Sequence, residues 1–402
     1  MSTSRQGRRK KIIAFLLVSV LLLGAVGTGV YRYNRPLPTL EATLTTPTVE
    51  KQVVALPWTE SGESAISTAS NKVLGVGENA NKVVPTASIA KLITILTVLK
   101  KYPLSAGQSG PTITLADKDV AIYNKYNSED GSAALVTPGE QISEYQMLQA
   151  MLLPSANNIA DSLAIWAYGS LSAYRSAAQD TVNTLGMGST KVGSDASGFL
   201  PDTVSTANDL VLLGEAALKQ DVVKEIAAQR VATIPVEGVI YNTNPVLGQS
   251  GITGLKTGTS DEAGNCFLFS ATHTFDNGQS ETFVGVVLNS PTAQSRYSEA
   301  VSLLNATYGG YKEVLVASAN QPIGRVASEW GQSTAVAPKS DVSEFVWLGD
   351  ATTTAAKITL DNKSVSLKEK QTVGSITVGE NSVSLIAAQD VKPPSLWWRI
   401  FH

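Results

Sequence analysis

Ile89-Ala90-Lys91-Leu92-Ile93-Thr94-Ile95-Leu96 is apolar nearly all round the helix that Ala87 to Lys100 predicts. A helix without a polar face has to be enclosed by other elements, so this 402-residue chain is expected to build layers around it. Enclosure takes Lys91 out of water, and desolvation favours the neutral form of an amine. The most constraining stretch of the fold is therefore also the most reactive one.

The rest of the chain suggests what does the enclosing. Glu63 to Val76 reads as a hairpin turning around Ser70-Asn71. Met147 to Ala167 is helical with a break at Pro154, and Ala207 to Leu218 is helical again. Strands at Cys266–Ala271 and Glu281–Leu288 flank Asp276-Asn277-Gly278, and an amphipathic helix follows at Tyr297–Tyr308. Helices between antiparallel strand pairs predict an α+β fold whose sheet is built from both ends of the domain, over residues 53–315. From 316 to 390, short alternating segments such as Ser343–Leu348, Ala356–Leu360, Ser364–Leu367 and Val383–Ile386 predict a small all-β domain. Residues 391–402 form an aromatic tail with Trp397 and Trp398, suited to a membrane interface or to packing on the β domain.

At the N-terminus, Arg5, Arg8, Arg9, Lys10 and Lys11 precede an uncharged run, Ile12 to Val30, of about the length of a membrane span. The five charges ahead outnumber Arg32 and Arg35 behind. This predicts a cytoplasmic tail at 1–11, a signal anchor at 12–30 and an extracytoplasmic body; a cleaved signal peptide is the alternative. Residues 31–52, with Pro36, Pro38 and Pro47, read as an extended linker. Of 31 Lys+Arg, 26 remain beyond residue 11 against 34 Asp+Glu, a net charge of −8 that argues against nucleic acid as a partner.

Composition narrows the chemistry. The single cysteine, Cys266, excludes an intramolecular disulfide and a cysteine-based metal site. A Ser-His-Asp triad would have to rest on His273, which reads as a surface residue at a strand end, since the other histidine is His402. Three short patterns offer another route. Ser88 and Lys91 lie three apart at a helix start, on one face, so a neutral Lys91 can take the Ser88 proton as the hydroxyl attacks a carbonyl. Ser155-Ala156-Asn157 follows Pro154, where a broken helix lets Ser155 relay a proton and Asn157 hold Lys91 and a substrate backbone. Gly254-Leu255-Lys256-Thr257-Gly258-Thr259-Ser260 reads as a glycine-flanked strand edge. There Lys256, Thr257 and Thr259 suit a carboxylate, Gly258 leaves room for a substrate backbone, and the N–H groups of Ser88 and Thr259 make the natural oxyanion pair. Taken singly the motifs have plainer readings: Ser88 as a helix cap with Lys91 heading a solvated stripe with Thr94, Thr97 and Lys101, Ser155 as an N-cap, and Lys256 as an exposed lysine in a glycine-rich turn.

In this order, with gaps of 67 and 101 residues, the three patterns are those of the penicillin-binding proteins and class A β-lactamases. Pro85–Thr94, Leu153–Asp161, Leu185–Thr190 and Gly254–Cys266 together resemble the serine-type D-alanyl-D-alanine carboxypeptidases among the low-molecular-mass penicillin-binding proteins. The resemblance covers about residues 60 to 310. It implies a DD-peptidase/β-lactamase-like domain, an antiparallel sheet with flanking helices and a helical subdomain carrying Ser155 and Asn157. It also implies Ser88 as nucleophile toward the D-Ala-D-Ala bond of a peptidoglycan stem peptide, β-lactams as covalent inhibitors, and no metal or cofactor. No Glu-x-x-Leu-Asn pattern lies between Ser155 and Lys256, which speaks against a β-lactamase. An endopeptidase acting on peptidoglycan cross-links would use the same residues, and a non-catalytic peptidoglycan-binding protein would have no need of them.

Overall fold

The computed structural model describes residues 3–49, 52–349, 356–361 and 364–402. The parts of the predicted tail, linker and β-rich domain at 1–2, 50–51, 350–355 and 362–363 lie outside the described residues. The chain divides into two compact units, Val53–Tyr311 and a second made of Met1–Gln52 with Lys312–His402.

In the first unit an antiparallel sheet runs in the order Ile252–Ser260, Gly264–Thr274, Ser280–Ser290, Ser64–Thr68, Val73–Val76. The two ends of the unit thus meet in one sheet, and Ile252–Ser260 is left as an edge. Register assigns the faces. Phe267, Phe269 and Phe283 share one face, where Tyr297 and Tyr308 of the helix Ala293–Gly309 pack on them. Leu268 and Val284 lie on the other, where Gly214 of the helix Ala207–Leu218 approaches so closely that an added Cβ would sit 2.5 Å from Val284. This alternation is the period of two that any pleated strand imposes.

The apolar stretch becomes a 3-10 turn, Ala87–Ile89, continued by the helix Ala90–Lys101. From Ala90 to Leu99 every residue is buried. The helices Glu144–Leu152, Asn157–Tyr168, Leu171–Thr184 and Ala207–Leu218 surround it. Thr94 and Thr97 are fully buried, so the solvated stripe does not form. Thr94 Oγ1 is bonded within the core, 2.6 Å from the Tyr174 hydroxyl and donating to Ala196 O. The break at Pro154 separates Glu144–Leu152 from Asn157–Tyr168.

In the second unit Gly324–Ala327, Ser333–Pro338, Asn381–Ala387, Thr372–Val378 and Lys357–Leu360 build a sheet around Val336, Ile376 and Leu385. Three expectations change here. The linker is not wholly extended: Glu41–Leu44 pairs antiparallel with Gly324–Ala327 as the sheet's sixth strand, and Leu40 enters its core. The strand Tyr311–Ala317 pairs with Val342–Trp347, so the catalytic unit ends at 311 rather than 315. Ser364–Leu367 forms no strand, only a single bridge from Leu367 to Val391. A hydrophobic core fed from both termini recruits strands that local pattern cannot assign.

Among the described residues one helix, over Gly7–Tyr33, is long and apolar enough to cross a membrane, with mean hydropathy 2.5. Of the two placements expected of the tail, packing against the second unit is the one seen. In the helix Leu396–Phe401, Trp398 packs edge-on against Trp330, while Trp397 and Phe401 stack on each other and remain exposed.

Candidate active site

Four segments meet around Lys91. Its Nζ lies 2.7 Å from Ser88 Oγ and donates to Asn157 Oδ1 at 2.7 Å and to Ser197 O at 3.1 Å. Protonated, the amine has an N–H for each of the three oxygens; neutral, it keeps two N–H bonds for Asn157 and Ser197 and turns its lone pair to the Ser88 hydroxyl. Burial lowers the Lys91 pKa to about 7, against the opposing pull of Asp195 and Asp161. Ser88 is only half-buried and follows Ala87, whose φ of 44° is a strained conformation for alanine at the turn presenting the nucleophile.

Ser155 also has a positive φ, 66°. Among the described residues its hydroxyl makes no hydrogen bond, which leaves it available to a ligand. Asn157 starts its helix with its backbone N–H held by Ser132 O at 2.7 Å. Gly258 lets the nucleophile turn approach the strand edge, since a Cβ there would lie 3.2 Å from Ser88 N and 3.1 Å from Thr86 O.

The pleat separates residues that the sequence places together. Lys256 pairs with Leu268 and faces the Lys91 side, where it is buried and donates to Thr257 O at 3.1 Å. Burial and the neighbouring Lys91 and Arg296 hold its pKa well below the ordinary lysine range. Thr257 and Thr259 face the other side. Thr257 Oγ1 lies 2.9 Å from Thr243 Oγ1, and Thr259 Oγ1 accepts from Arg296 Nη1 at 2.7 Å. The positive charge expected from Lys256 is thus supplied beside Thr259 by Arg296, which the sequence left unmarked. Arg296 is buried and also bonds Gly258 O and the Tyr297 hydroxyl, while its Nε has no partner. No spacing rule points from Lys256 to a residue forty positions on.

The turn Asp195–Leu200 is the other contribution missed. Asp195 accepts from the N–H groups of Gly198, Phe199 and Leu200 at 2.9 to 3.0 Å and from Ser197 Oγ at 3.1 Å. That presents Ser197 O to Lys91. His273 is elsewhere: stacked on Tyr308 at 4.0 Å, it lies seven residues along its strand from Cys266, the partner of Gly258, or about 23 Å. A triad through His273 is excluded.

The family model for D-alanyl-D-alanine carboxypeptidase matches residues 54–292. The chain belongs to this family. Among relatives of this carboxypeptidase, the D-alanyl-D-alanine carboxypeptidase DacC of Escherichia coli K12 is 26% identical over 351 residues, covering 83% of this chain and 84% of the relative. A D-alanyl-D-alanine endopeptidase of Pseudomonas aeruginosa is 32% identical over 220 residues, 52% of this chain and 66% of that one. The crystal structure of DacD from Francisella tularensis superposes with a TM-score of 0.55 at 20% identity, over 86% of this chain and 97% of that one, a likeness of fold. The chain is a serine-type DD-carboxypeptidase of the low-molecular-mass penicillin-binding class.

Proposed function

We propose that Ser88 is the nucleophile and Lys91 its base in removing the terminal D-alanine from a peptidoglycan stem peptide. The observation that carries this is the 2.7 Å approach of Lys91 Nζ to Ser88 Oγ with both other amine contacts made to acceptors. Lys91 takes the Ser88 proton as Oγ bonds to the penultimate D-alanine carbonyl, and the N–H groups of Ser88 and Thr259 receive the oxyanion. The C–N bond breaks, and Ser155 passes the proton to the departing amine. Water then attacks the ester and frees Ser88. Asn157 holds Lys91 and the substrate backbone, which lies along the open edge of Ile252–Ser260. Thr257 and Thr259, with Arg296 behind them, hold the terminal carboxylate, and burial keeps Lys91 neutral. A β-lactam follows the same path as far as the ester and stays there. The reading is tested by incubating the chain with a stem pentapeptide: stoichiometric free D-alanine supports it, and cleavage of cross-linked dimers without D-alanine release from the monomer would sink it in favour of an endopeptidase.

Two outcomes follow from the charges. Arg296→Gln is expected to raise KM for a substrate with a free C-terminal carboxylate about 10- to 100-fold, the value of one charge-assisted hydrogen bond, with a smaller loss in kcat. An amidated substrate should not show the difference. Lys91 is faced by Ser88, by Asn157 and Asp161 of one helix, by the Asp195 turn and by Lys256. The base works neutral, so acylation should fall about tenfold per pH unit below about 7. Asp195 raises the Lys91 pKa, so Asp195→Asn is expected to move this limb to lower pH in stopped-flow acylation; a fixed limb would rule out the charge effect.

We place the catalytic unit outside the cytoplasm, tethered by Gly7–Tyr33 as a retained span. Support comes from the helix's length and hydropathy and from the excess of positive charge on its N-terminal side. The mass of the mature N-terminus tests it.

A further inference from the structure

A basic pocket lies where the apolar helix ends. It has a volume of about 350 Å³ and its walls include Arg32, Arg35, Arg399, Trp398, His402 and Glu329. Arg32 lies within one helical turn of Val30, the last residue of the uncharged run, and Arg35 follows just past the helix end at Tyr33. In a retained span that is the depth of lipid headgroups. Arg399 comes from the opposite end of the chain.

The short tail helix is tied to the end of the span. Arg32 Nη1 donates to Phe401 O at 2.9 Å, and Arg399 Nη2 donates to Tyr33 O and to Arg35 O. These bonds use only some of the donors that three guanidiniums carry. Arg399 Nε is buried without a partner, and among the described residues no carboxylate forms an ion pair with any of the three. Glu329 lines the pocket but does not neutralise it. Beside the basic wall, Leu396, Trp397 and Phe401 are exposed by 60%, 70% and 62%, as is Tyr31 by 67%. Apolar and aromatic side chains next to unpaired arginines suit the boundary between acyl chains and phosphates, where aromatic residues concentrate.

We propose that this pocket binds the phosphodiester headgroup of a membrane phospholipid. Arg32, Arg35 and Arg399 hold the phosphate oxygens, and Trp397 and Phe401 lie against the acyl chains. Arginine forks match two phosphate oxygens at once, and Glu329 faces the amine or hydroxyl that a headgroup carries beyond its phosphate. The headgroup then clamps the two ends of the chain together at the membrane surface. The proposal rests on the retained span.

Native mass spectrometry of the full-length chain, delipidated in detergent and titrated with phosphatidylglycerol, tests it. Wild type is expected to hold one lipid, and R32Q/R35Q/R399Q to bind at least about tenfold more weakly. E329Q should keep the lipid. Calorimetry of the triple variant, with the unfolding transition of the unit that carries the pocket kept at its wild-type temperature, reports that this unit is folded; if that transition is lost, R35Q alone, whose guanidinium lies over Tyr31 in wild type, carries the comparison. Equal lipid binding by wild type and variant overturns the proposal, as does a bare wild type. Displacement of the lipid by millimolar inorganic phosphate would show a site for free anions instead and overturn it too. The intact mass separates the two readings: a chain cut before Arg32 defeats the anchor and the pocket together, and an intact chain without lipid defeats the pocket alone.

Discussion

A fluorescent penicillin is expected to label the wild-type chain covalently and to leave Ser88→Ala unlabelled. Lys91→Met should keep the fold and the nucleophile yet acylate about 100- to 10,000-fold more slowly, the range lost with a positioned general base. Methionine fills nearly the same volume in a fully buried slot, so packing is kept while the lone pair beside Ser88 is lost. The pH profile separates this from simple disruption. Wild-type acylation should rise through about pH 7 as Lys91 loses its proton, and the residual rate of Lys91→Met should show no such rise. Label on Ser88→Ala, or a Lys91→Met variant as fast as wild type, would mean that other residues do the chemistry.

Gly198→Ala is expected to damage both stability and function. Gly198 has φ of 70°, and an added Cβ would lie 2.1 Å from Ala87 O and 2.7 Å from Ala90 Cβ. The unfavourable φ costs about 1 kcal/mol and overpacking a further 1–3 kcal/mol, together about 3 kcal/mol. For a unit of this size that is a fall in Tm of about 6–12 °C, readable by calorimetry. Function should suffer as well, because relief of the clash requires movement either of the Ser88 turn or of Ser197 O, the acceptor holding Lys91. Gly139, whose Cβ would meet nothing within 4 Å, is the control: its positive φ of 81° exacts the conformational cost without the clash. Equal losses at the two sites would show that packing against Ala87 plays no part.

Much of the site was legible in the chain because its chemistry is local. Ser88 and Lys91 are three apart on one turn, Ser155 and Asn157 straddle a helix start, and Gly258 marks a close approach, so each pattern carries its own geometry. The buried state of Lys91 followed from the residues beside it, since a helix apolar all round has no face to offer water. The same local logic located the strand pairs, the break at Pro154 and the apolar helix.

What lay beyond the chain's own pattern depended on pairing at a distance. Arg296 reaches Thr259 only because the helix Ala293–Gly309 packs on one face of the sheet, and Asp195 acts on Lys91 only because a turn brings its charge and the Ser197 carbonyl to the amine. Glu41–Leu44 looked like linker because four residues of edge strand carry too little alternation to be recognised without the sheet they complete. The division of labour along Lys256-Thr257-Gly258-Thr259 has the same cause. Sequence supplies which side chains are present, but the pleat sends neighbours to opposite faces, and packing then decides which face meets the buried amines and which meets the guanidinium.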